Sequence, residues 1–151
     1  MSGSASLEMN SSATAEGRGF VPGDESKTRM RVLLIDDHAS FLDALAVMLG
    51  QASAIDVVGK SKDGREGLKA AAELTPDVVL VDFSMPELDG LAVTRQLKAW
   101  AKPPKVVMMS FHTGPEYRDM ALAMGADAFL TKTDLHKELL PLLTRLGTEA
   151  D

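Results

Sequence analysis

Four apolar segments of this sequence each end in polar side chains that could take part in phosphoryl chemistry. These are Asp36 and Asp37 after the first segment, Asp82 after the second, Ser110 after the third and Lys132 after the fourth. Three carboxylates in one place repel one another unless a cation lies among them. Oxygen ligands suit Mg²⁺, which shares its sites with phosphate oxygens. A lysine and a hydroxyl could hold the other phosphoryl oxygens, so the set predicts attack by a carboxylate oxygen on phosphorus to give an acyl phosphate.

Each of these residues also has a simpler interpretation when it is considered alone. Asp82 could cap the turn that follows it, and Asp36 with Asp37 could cap the next helix, whose N-terminus favours negative charge. Ser110 could be a turn residue at a strand end. Lys132 could be a solvated surface lysine. The joint placement of the five side chains favours the chemical interpretation.

The segments that carry these residues alternate between strand and helix patterns. Short apolar runs flanked by turn residues predict five strands, near 31–35, 55–60, 77–82, 104–110 and 127–131. The segments between and after them predict five helices, near 38–51, 64–74, 89–100, 115–124 and 134–146. This alternation predicts an α/β protein with a parallel sheet covered by helices on both faces. Ligands bind at the carboxyl ends of the strands in such sheets, which is where the polar residues fall.

Local signals refine the helix ends. Asp63 and Glu66 have the spacing of a capping box at the start of the second helix. Gly125 predicts the C-terminal end of the fourth helix. Pro141 removes a backbone donor inside the last helix and therefore predicts a kink or an earlier end.

Composition restricts the class of protein. A net charge of −6 at pH 7 argues against non-specific binding to nucleic acid by this chain. The chain has no cysteine, which excludes disulfides and thiolate metal sites. No apolar run approaches the roughly 20 residues of a membrane helix, and the N-terminus lacks the pattern of a secretory signal. We therefore expect a cytoplasmic protein with no membrane partner.

The chain divides into an N-terminal segment and one domain. Residues 1–29 are rich in Ser, Gly, Ala and Glu without apolar periodicity, so we expect a disordered extension, which could also be a cloning remnant. The folded domain is expected at 30–147, with 148–151 as a short tail. A domain of this length can bury its own core.

The sequence around Asp82 resembles the phosphorylation site of a known family. It reads Val79-Leu80-Val81-Asp82-Phe83-Ser84-Met85-Pro86-Glu87-Leu88-Asp89-Gly90. With Asp36-Asp37, Ser110 and Lys132 in the same order and at similar spacing, it is similar to the receiver domain of two-component response regulators. The resemblance covers 30–147. It implies a flavodoxin-like (βα)5 fold, a doubly wound parallel sheet with strand order 2-1-3-4-5.

The resemblance also implies a role for each residue of the site. Asp82 would accept the phosphoryl group, and Asp37 would bind Mg²⁺ directly, with help from Asp36 through water. Asp82 and the backbone carbonyl of Ser84 would supply further metal ligands. Lys132 would pair with the phosphoryl group.

A conformational switch is implied as well. Ser110 would move to hydrogen-bond the phosphoryl group and let Phe129 swing inward, although Phe129 could equally be a plain core aromatic. Because Phe lacks the hydroxyl of Tyr, packing alone would sense this motion. His112 and Ser84 could tune the lifetime of the phosphoryl group from the rim of the site, and we expect His38 to be a rim residue too.

Two features depart from the family pattern or qualify it. Thr133 follows the lysine where many receivers have a proline with a cis bond, and a non-proline cis bond costs about 3–4 kcal/mol, so the geometry of this bond is open. Residues 111–115 contain Gly and Pro, which predicts a mobile loop that could carry the switch.

The implied phosphoryl donor is a histidine kinase or a histidine phosphotransfer protein. The implied output is a protein target on the face formed by the fourth helix, the fifth strand and the fifth helix. A stand-alone receiver, as a monomer or weak dimer, is the first hypothesis. The alternative is a truncated N-terminal receiver of a helix-turn-helix DNA-binding transcription regulator.

Two further hypotheses place the chain in other classes. A phosphatase with an aspartyl phosphate intermediate usually carries a second acid two residues after the nucleophile, where this chain has Ser84. We therefore expect a phosphoryl acceptor and not a turnover enzyme. A scaffold that no longer takes phosphoryl is disfavoured by the intact acidic set.

Overall fold

The computed structural model describes residues 29–149, which form five strands and five helices in alternation. The elements are β1 Met30–Ile35, α1 Ala39–Gly50, β2 Ile55–Ser61, α2 Gly64–Leu74, β3 Val78–Asp82, α3 Gly90–Lys98, β4 Lys105–Ser110, α4 Pro115–Ala123, β5 Ala128–Thr131 and α5 Leu135–Glu149. A short 3-10 turn, Lys132–Asp134, joins β5 to α5. The expected N-terminal extension lies outside the described residues, except for its last residue. Within 29–149 no helix combines the length and hydropathy that crossing a bilayer requires.

The five strands form one parallel sheet in the order β2-β1-β3-β4-β5, which confirms the expected fold. β3 lies at the centre, paired with β1 on one side and β4 on the other. All five of its residues are buried. This fits a run of β-branched and aliphatic side chains, because a central parallel strand has helices against both faces.

Two apolar clusters lie on opposite faces of the sheet. Along β1, Val32 and Leu34 pack in the cluster that contains the leucines of α1 and α5. Leu33 and Ile35 pack in the other cluster, with residues of α2, α3 and α4. The alternation follows from the two-residue period of a strand. The sheet is thereby fixed from both sides, and its carboxyl edge is a rigid support for the acids.

The helix ends follow the predicted signals with one change. Asp63 accepts a hydrogen bond from the Glu66 N–H at 2.8 Å, as the capping box predicts. The return bond goes one residue further back, since the Glu66 carboxylate accepts from the Lys62 N–H at 2.8 Å. Gly125 lies beyond the end of α4 with φ of 103°, a left-handed conformation that favours glycine.

Pro141 does not end the last helix early, and this part of the prediction is wrong. α5 runs through Pro141 to Glu149, beyond the predicted end at 146. Leu139, Leu143 and Leu146 lie fully or almost fully buried on both sides of the proline. Burial of each such leucine contributes about 1.5–3 kcal/mol, which together exceeds the roughly 3 kcal/mol that an internal proline costs.

The peptide bond between Lys132 and Thr133 is trans, as are all the peptide bonds among residues 29–149. The two residues belong to the 3-10 turn that precedes α5. The turn places the lysine at the carboxyl edge of the sheet, on the side of the acids.

Candidate functional site

Three carboxylates meet at the carboxyl edge of the sheet, as the sequence predicts. Asp36 and Asp37 follow β1, and Asp82 is the last residue of β3, the neighbouring strand. One side-chain ligand atom from each of these acids and one from His38 all lie within 4.8 Å of one another. The cluster lies between β1 and β3, where successive crossovers leave in opposite directions and open α/β sheets bind ligands.

The backbone after Asp82 is held by the start of α3. The Gly90 N–H donates to the Phe83 carbonyl at 3.1 Å, and a Cβ atom at Gly90 would collide with the carbonyl oxygen of Asp82. Asp89 caps the helix by accepting from the Ala92 N–H at 3.0 Å. The close approach requires glycine. The Asp89-Gly90 pair therefore fixes the position of Asp82, which precedes Gly90 by eight residues.

Lys132 lies inside the cluster and not at the surface, so the surface interpretation is wrong. Its Nζ atom is 2.6 Å from Asp36 Oδ2 and 3.2 Å from Asp82 Oδ1. Its side chain is only 1% exposed. A buried ammonium requires paired charges, and the two acids supply them. The position of Lys132 directly after β5 predicts that it lies at this edge of the sheet. Its contacts with the two acids determine the direction of its side chain.

The charges of the site do not balance within the chain. Three carboxylates and one ammonium leave an excess of two negative charges if all are ionised. Burial raises the pKa of Asp82, and repulsion from Asp36 raises it further, while the attraction of Lys132 opposes both. The excess matches the charge of a divalent cation, which would relieve the repulsion.

The oxygens of Asp37 fit a metal ligand better than those of Asp36 do. Asp36 Oδ2 is engaged by Lys132, and Asp36 Oδ1 accepts from the His38 N–H at 2.9 Å. Asp37 Oδ1 is buried and has no hydrogen-bond partner. It lies 3.2 Å from His38 Nδ1, without the geometry of a hydrogen bond. The donor set therefore fits Mg²⁺ with Asp37 as a direct ligand and Asp36 in a supporting role.

Magnesium should raise the melting temperature of this protein, and the increase should depend on Asp37. At a concentration of about one hundred times Kd, the gain is about 2.7 kcal/mol, or roughly 5–15 °C for a domain of this size. Thermal unfolding with and without MgCl₂ measures it. Asp37→Asn should lose most of the increase, while Asp43→Asn, at an exposed acid on α1, should keep it. Equal increases in the two variants would contradict the assignment.

Asp36 contacts the start of α1 and Lys132 at the same time, so a capping role does not exclude a role in the acidic site. The N-cap residue is His38, whose own side chain makes no cap hydrogen bond, and its N–H donates to Asp36 Oδ1. The other carboxylate oxygen of Asp36, Oδ2, is held by Lys132. His38, expected at the rim, is 62% exposed and is also part of the cluster, with Nδ1 3.1 Å from Asp36 Oδ1. The one feature of the sequence that indicates this contact is the position of His38 directly after the two acids.

Ser110 makes its hydrogen bond to the following loop. Its Oγ accepts from the His112 N–H at 2.9 Å, as a strand-end turn residue would. An oxygen that accepts from a backbone N–H still carries its own proton for donation. Ser110 is 1% exposed, and it pairs in register with Thr131, the residue before Lys132. Its hydroxyl therefore lies at the same sheet edge as the lysine. Its predicted movement toward a phosphoryl group stays a prediction.

Phe129 is a buried core aromatic in this structure, with 7% exposure. Its ring meets that of Phe83 edge to face at a centroid distance of 6.4 Å. Phe83 in turn meets Tyr117 of α4 at 5.4 Å, and the Tyr117 ring stacks on His112 at 4.5 Å. A continuous series of rings thus connects β5 with the loop after Ser110. Ser84 is exposed in the loop after β3, and its roles as ligand and lifetime residue stay predictions.

The chain is similar to proteins of one family. The model of the response regulator receiver domain matches residues 32–144. Over 111 residues the chain is 41% identical to the protein-glutamate methylesterase/protein-glutamine glutaminase of Symbiobacterium thermophilum, covering 72% of this chain and 30% of that protein. Over 110 residues it is 36% identical to the transcriptional regulatory protein LiaR of Bacillus subtilis, covering 73% and 52%.

A solved structure agrees with these sequence relatives. The signal receiver domain of NarL from Mycobacterium tuberculosis matches with a TM-score of 0.75 and 30% identity, covering 80% of this chain and 97% of that one. The chain spans about a third to a half of the length of the two curated relatives above. The likeness therefore concerns one domain of those proteins.

Proposed function

The chain belongs to the response regulator receiver family of two-component systems, and on that premise we propose that it is a switch set by Mg²⁺-dependent phosphorylation of Asp82. One observation carries the proposal. Lys132, buried at the end of β5, lies in contact with Asp82 and Asp36 within a cluster of three acids. A structural core has no need of so many ionisable groups, because burying them is unfavourable. A site that receives a phosphoryl group needs both signs of charge.

The proposed reaction is a transfer of phosphorus from nitrogen to oxygen. A carboxylate oxygen of Asp82 attacks the phosphorus of a phosphohistidine on a histidine kinase or histidine phosphotransfer protein. The new O–P bond forms while the N–P bond breaks, and the electron pair of the broken bond stays on the imidazole nitrogen. The product is an acyl phosphate on Asp82. With acetyl phosphate the O–P bond of the donor breaks instead, and acetate leaves.

The residues around Asp82 would have separate roles in this reaction. Asp37 would hold Mg²⁺, with Asp36, Asp82 and the carbonyl of Ser84 in support. When bound, the metal would neutralise charge on the carboxylates and the phosphoryl oxygens. Lys132 is already 3.2 Å from an Asp82 oxygen, so a small movement brings its ammonium to a phosphoryl oxygen.

Ser110 would complete the site from the other side of Asp82. Ser110 follows Met109 on β4, and Met109 pairs in register with Asp82. The proton of its hydroxyl can be donated to a phosphoryl oxygen once the bond to the loop at His112 yields. Movement of this loop would reach Phe129 through the rings described above. The proposed switch therefore needs no hydroxyl on Phe129.

The proposed output is a protein contact on the face formed by α4, β5 and α5. A groove of about 420 Å³ lies there, and Phe129 is part of its wall. Its other lining side chains include Arg118, Lys137 and Pro141. A change in the position of Phe129 would alter the shape of this groove, which connects the site to a binding surface. We propose that the chain acts as a phosphoryl acceptor and not as a turnover enzyme, as a monomer or weak dimer.

A second candidate function is the receiver of a DNA-binding transcription regulator. The similarity to LiaR, a transcriptional regulatory protein of which the chain covers 52%, favours it. The net charge of −6 argues that DNA contacts would come from another domain. A binding assay with this chain and duplex DNA should show no affinity in either phosphorylation state. DNA binding by the chain alone would contradict both versions of the proposal.

Incubation with acetyl phosphate and MgCl₂, followed by intact mass measurement, tests the proposed function. We expect a gain of one phosphoryl group within minutes, and no gain when EDTA replaces the metal. A phosphoryl gain that persists in EDTA would contradict the role of the metal. No gain from acetyl phosphate, phosphoramidate or a panel of histidine kinases would favour the scaffold hypothesis.

A further inference from the structure

Two aromatic rings lie against the ammonium of Lys132. Its Nζ atom is 4.2 Å from the centroid of the Phe41 ring and 5.0 Å from that of Phe111. Both distances are within the roughly 6 Å at which a cation is attracted by the electrons of a ring. The two rings meet edge to face at a centroid distance of 6.5 Å and an angle of 64°. The ammonium therefore has carboxylates and aromatic rings around it.

The two rings come from different parts of the fold. Phe41 lies in the first turn of α1 and is partly buried at the edge of the core. Phe111 directly follows β4 and is 63% exposed, one of the most exposed large apolar side chains among residues 29–149. Leaving so much apolar surface in water is unfavourable. The contact with Lys132 explains why the Phe111 ring lies at this exposed position.

We propose that Phe41 and Phe111 form an aromatic clamp, a pair of positioning residues that holds Lys132 against the acids and closes its pocket to water. The acids attract the ammonium, and the two rings lie against the same nitrogen atom. With a side chain only 1% exposed, the lysine has exchanged water for these two kinds of partner. The proposal depends on the proposed function only for the purpose of the clamp, since Lys132 would there meet a phosphoryl group.

The clamp is connected to the residue that is expected to move. The hydrogen bond from the His112 N–H to Ser110 Oγ spans Phe111, which is the residue between them. This bond holds the loop in the shape that directs Phe111 toward the lysine. If Ser110 turns to a phosphoryl group and releases the bond, the Phe111 ring loses its support. Phe111 is thus the removable half of the clamp, and Phe41 is the fixed half.

Chemical modification of Lys132 tests the clamp without phosphorylation. Short pulses of an acetylating reagent, followed by digestion and mass spectrometry, give the acetylation rate of each lysine. Phe111→Leu keeps an apolar side chain but removes the ring, and it should raise the rate at Lys132 by about 2- to 30-fold, the range for loss of a cation–ring contact. Phe111→Tyr keeps the ring and should leave the rate near that of the wild type. Phe41→Leu should act in the same direction as Phe111→Leu.

Matched controls separate the clamp from general loosening of the fold. Leu122→Ala shortens another exposed apolar side chain, on α4, and should not change the rate at Lys132. The rate at exposed Lys62 should be the same in all variants. An unchanged rate at Lys132 in Phe111→Leu, or an equal increase in Phe111→Tyr, would overturn the proposal. Failure of the protein to accept phosphoryl would refute the proposed function and leave these rates as they are.

Discussion

Replacing Lys132 by alanine should destabilise the fold by about 3–5 kcal/mol at neutral pH, the largest stability effect that we expect from a single polar side chain here. The ammonium touches Asp36 at 2.6 Å and Asp82 at 3.2 Å. Both acids are almost completely buried. Without the lysine, two carboxylates would face each other away from water, which is why removing one member of a buried charge set is so unfavourable.

Urea unfolding with and without MgCl₂ measures this effect. Saturating Mg²⁺ should restore part of the lost stability, because a divalent cation can neutralise the same acids. Lys60→Ala is the matched control, since Lys60 pairs with Asp43 at 3.1 Å on the surface. Exposed pairs contribute about 0–1 kcal/mol. A loss of stability in Lys132→Ala that is no greater than the loss in Lys60→Ala would contradict the stabilising role of Lys132 among the buried acids.

Replacing Asp82 by asparagine should abolish phosphoryl acceptance and at the same time stabilise the protein at neutral pH. Asparagine has no carboxylate oxygen to attack phosphorus, so the loss should be complete within detection. The stability change follows from the direction of the pKa shift. Burial and then Asp36 raise the pKa of Asp82 above its ordinary 3.8, so the ionised form is less favourable in the fold than in the unfolded chain.

The difference in stability between Asp82→Asn and the wild type should depend on pH. A raised pKa in the folded state means that wild-type stability is greatest below the unfolded value and falls as pH rises through the folded value. Asp82→Asn lacks this fall, so its advantage should appear above about pH 4 and vanish below it. Lys132 keeps Asp36 as its partner in the variant. Unfolding curves in EDTA at several pH values measure the difference.

Asp119→Asn on α4 is the control for both halves of this prediction. Asp119 is exposed, and its replacement should change neither phosphoryl acceptance nor stability by more than about 0.5 kcal/mol. A variant Asp82→Asn that is less stable than the wild type at pH 7 would mean that the attraction of Lys132 outweighs burial. Phosphoryl acceptance that survives in Asp82→Asn would move the acceptor to another residue.

The sequence predicts most of the fold because its local and long-range signals agree. A buried central strand, two flanking turn signals and regular alternation with helices leave few parallel arrangements. The three acids at strand ends follow directly from that arrangement. Their convergence needs no side-chain detail, since adjacent parallel strands end at the same edge.

Contacts between distant segments could not be predicted in the same way. The bond from Lys132 to Asp36 joins residues that are 96 positions apart, and the rings of Phe41 and Phe111 meet only because α1 begins near the end of β4. The local effect of Pro141 predicts a kink or an early end of α5, while the leucines that hold this helix act through the core. The contact of the exposed His38 ring with Asp36 could not be predicted either, because nothing in a single sequence shows where a ring turns.

The central claim is that Asp82 itself carries the phosphoryl group. After treatment with acetyl phosphate and MgCl₂, sodium borohydride reduces an acyl phosphate at an aspartate to homoserine, and peptide mass spectrometry then locates the changed residue. We predict homoserine at position 82 alone, with none in samples treated in EDTA. Homoserine at another acid, or a phosphoryl group that survives borohydride on a serine, threonine or histidine, would contradict the claim.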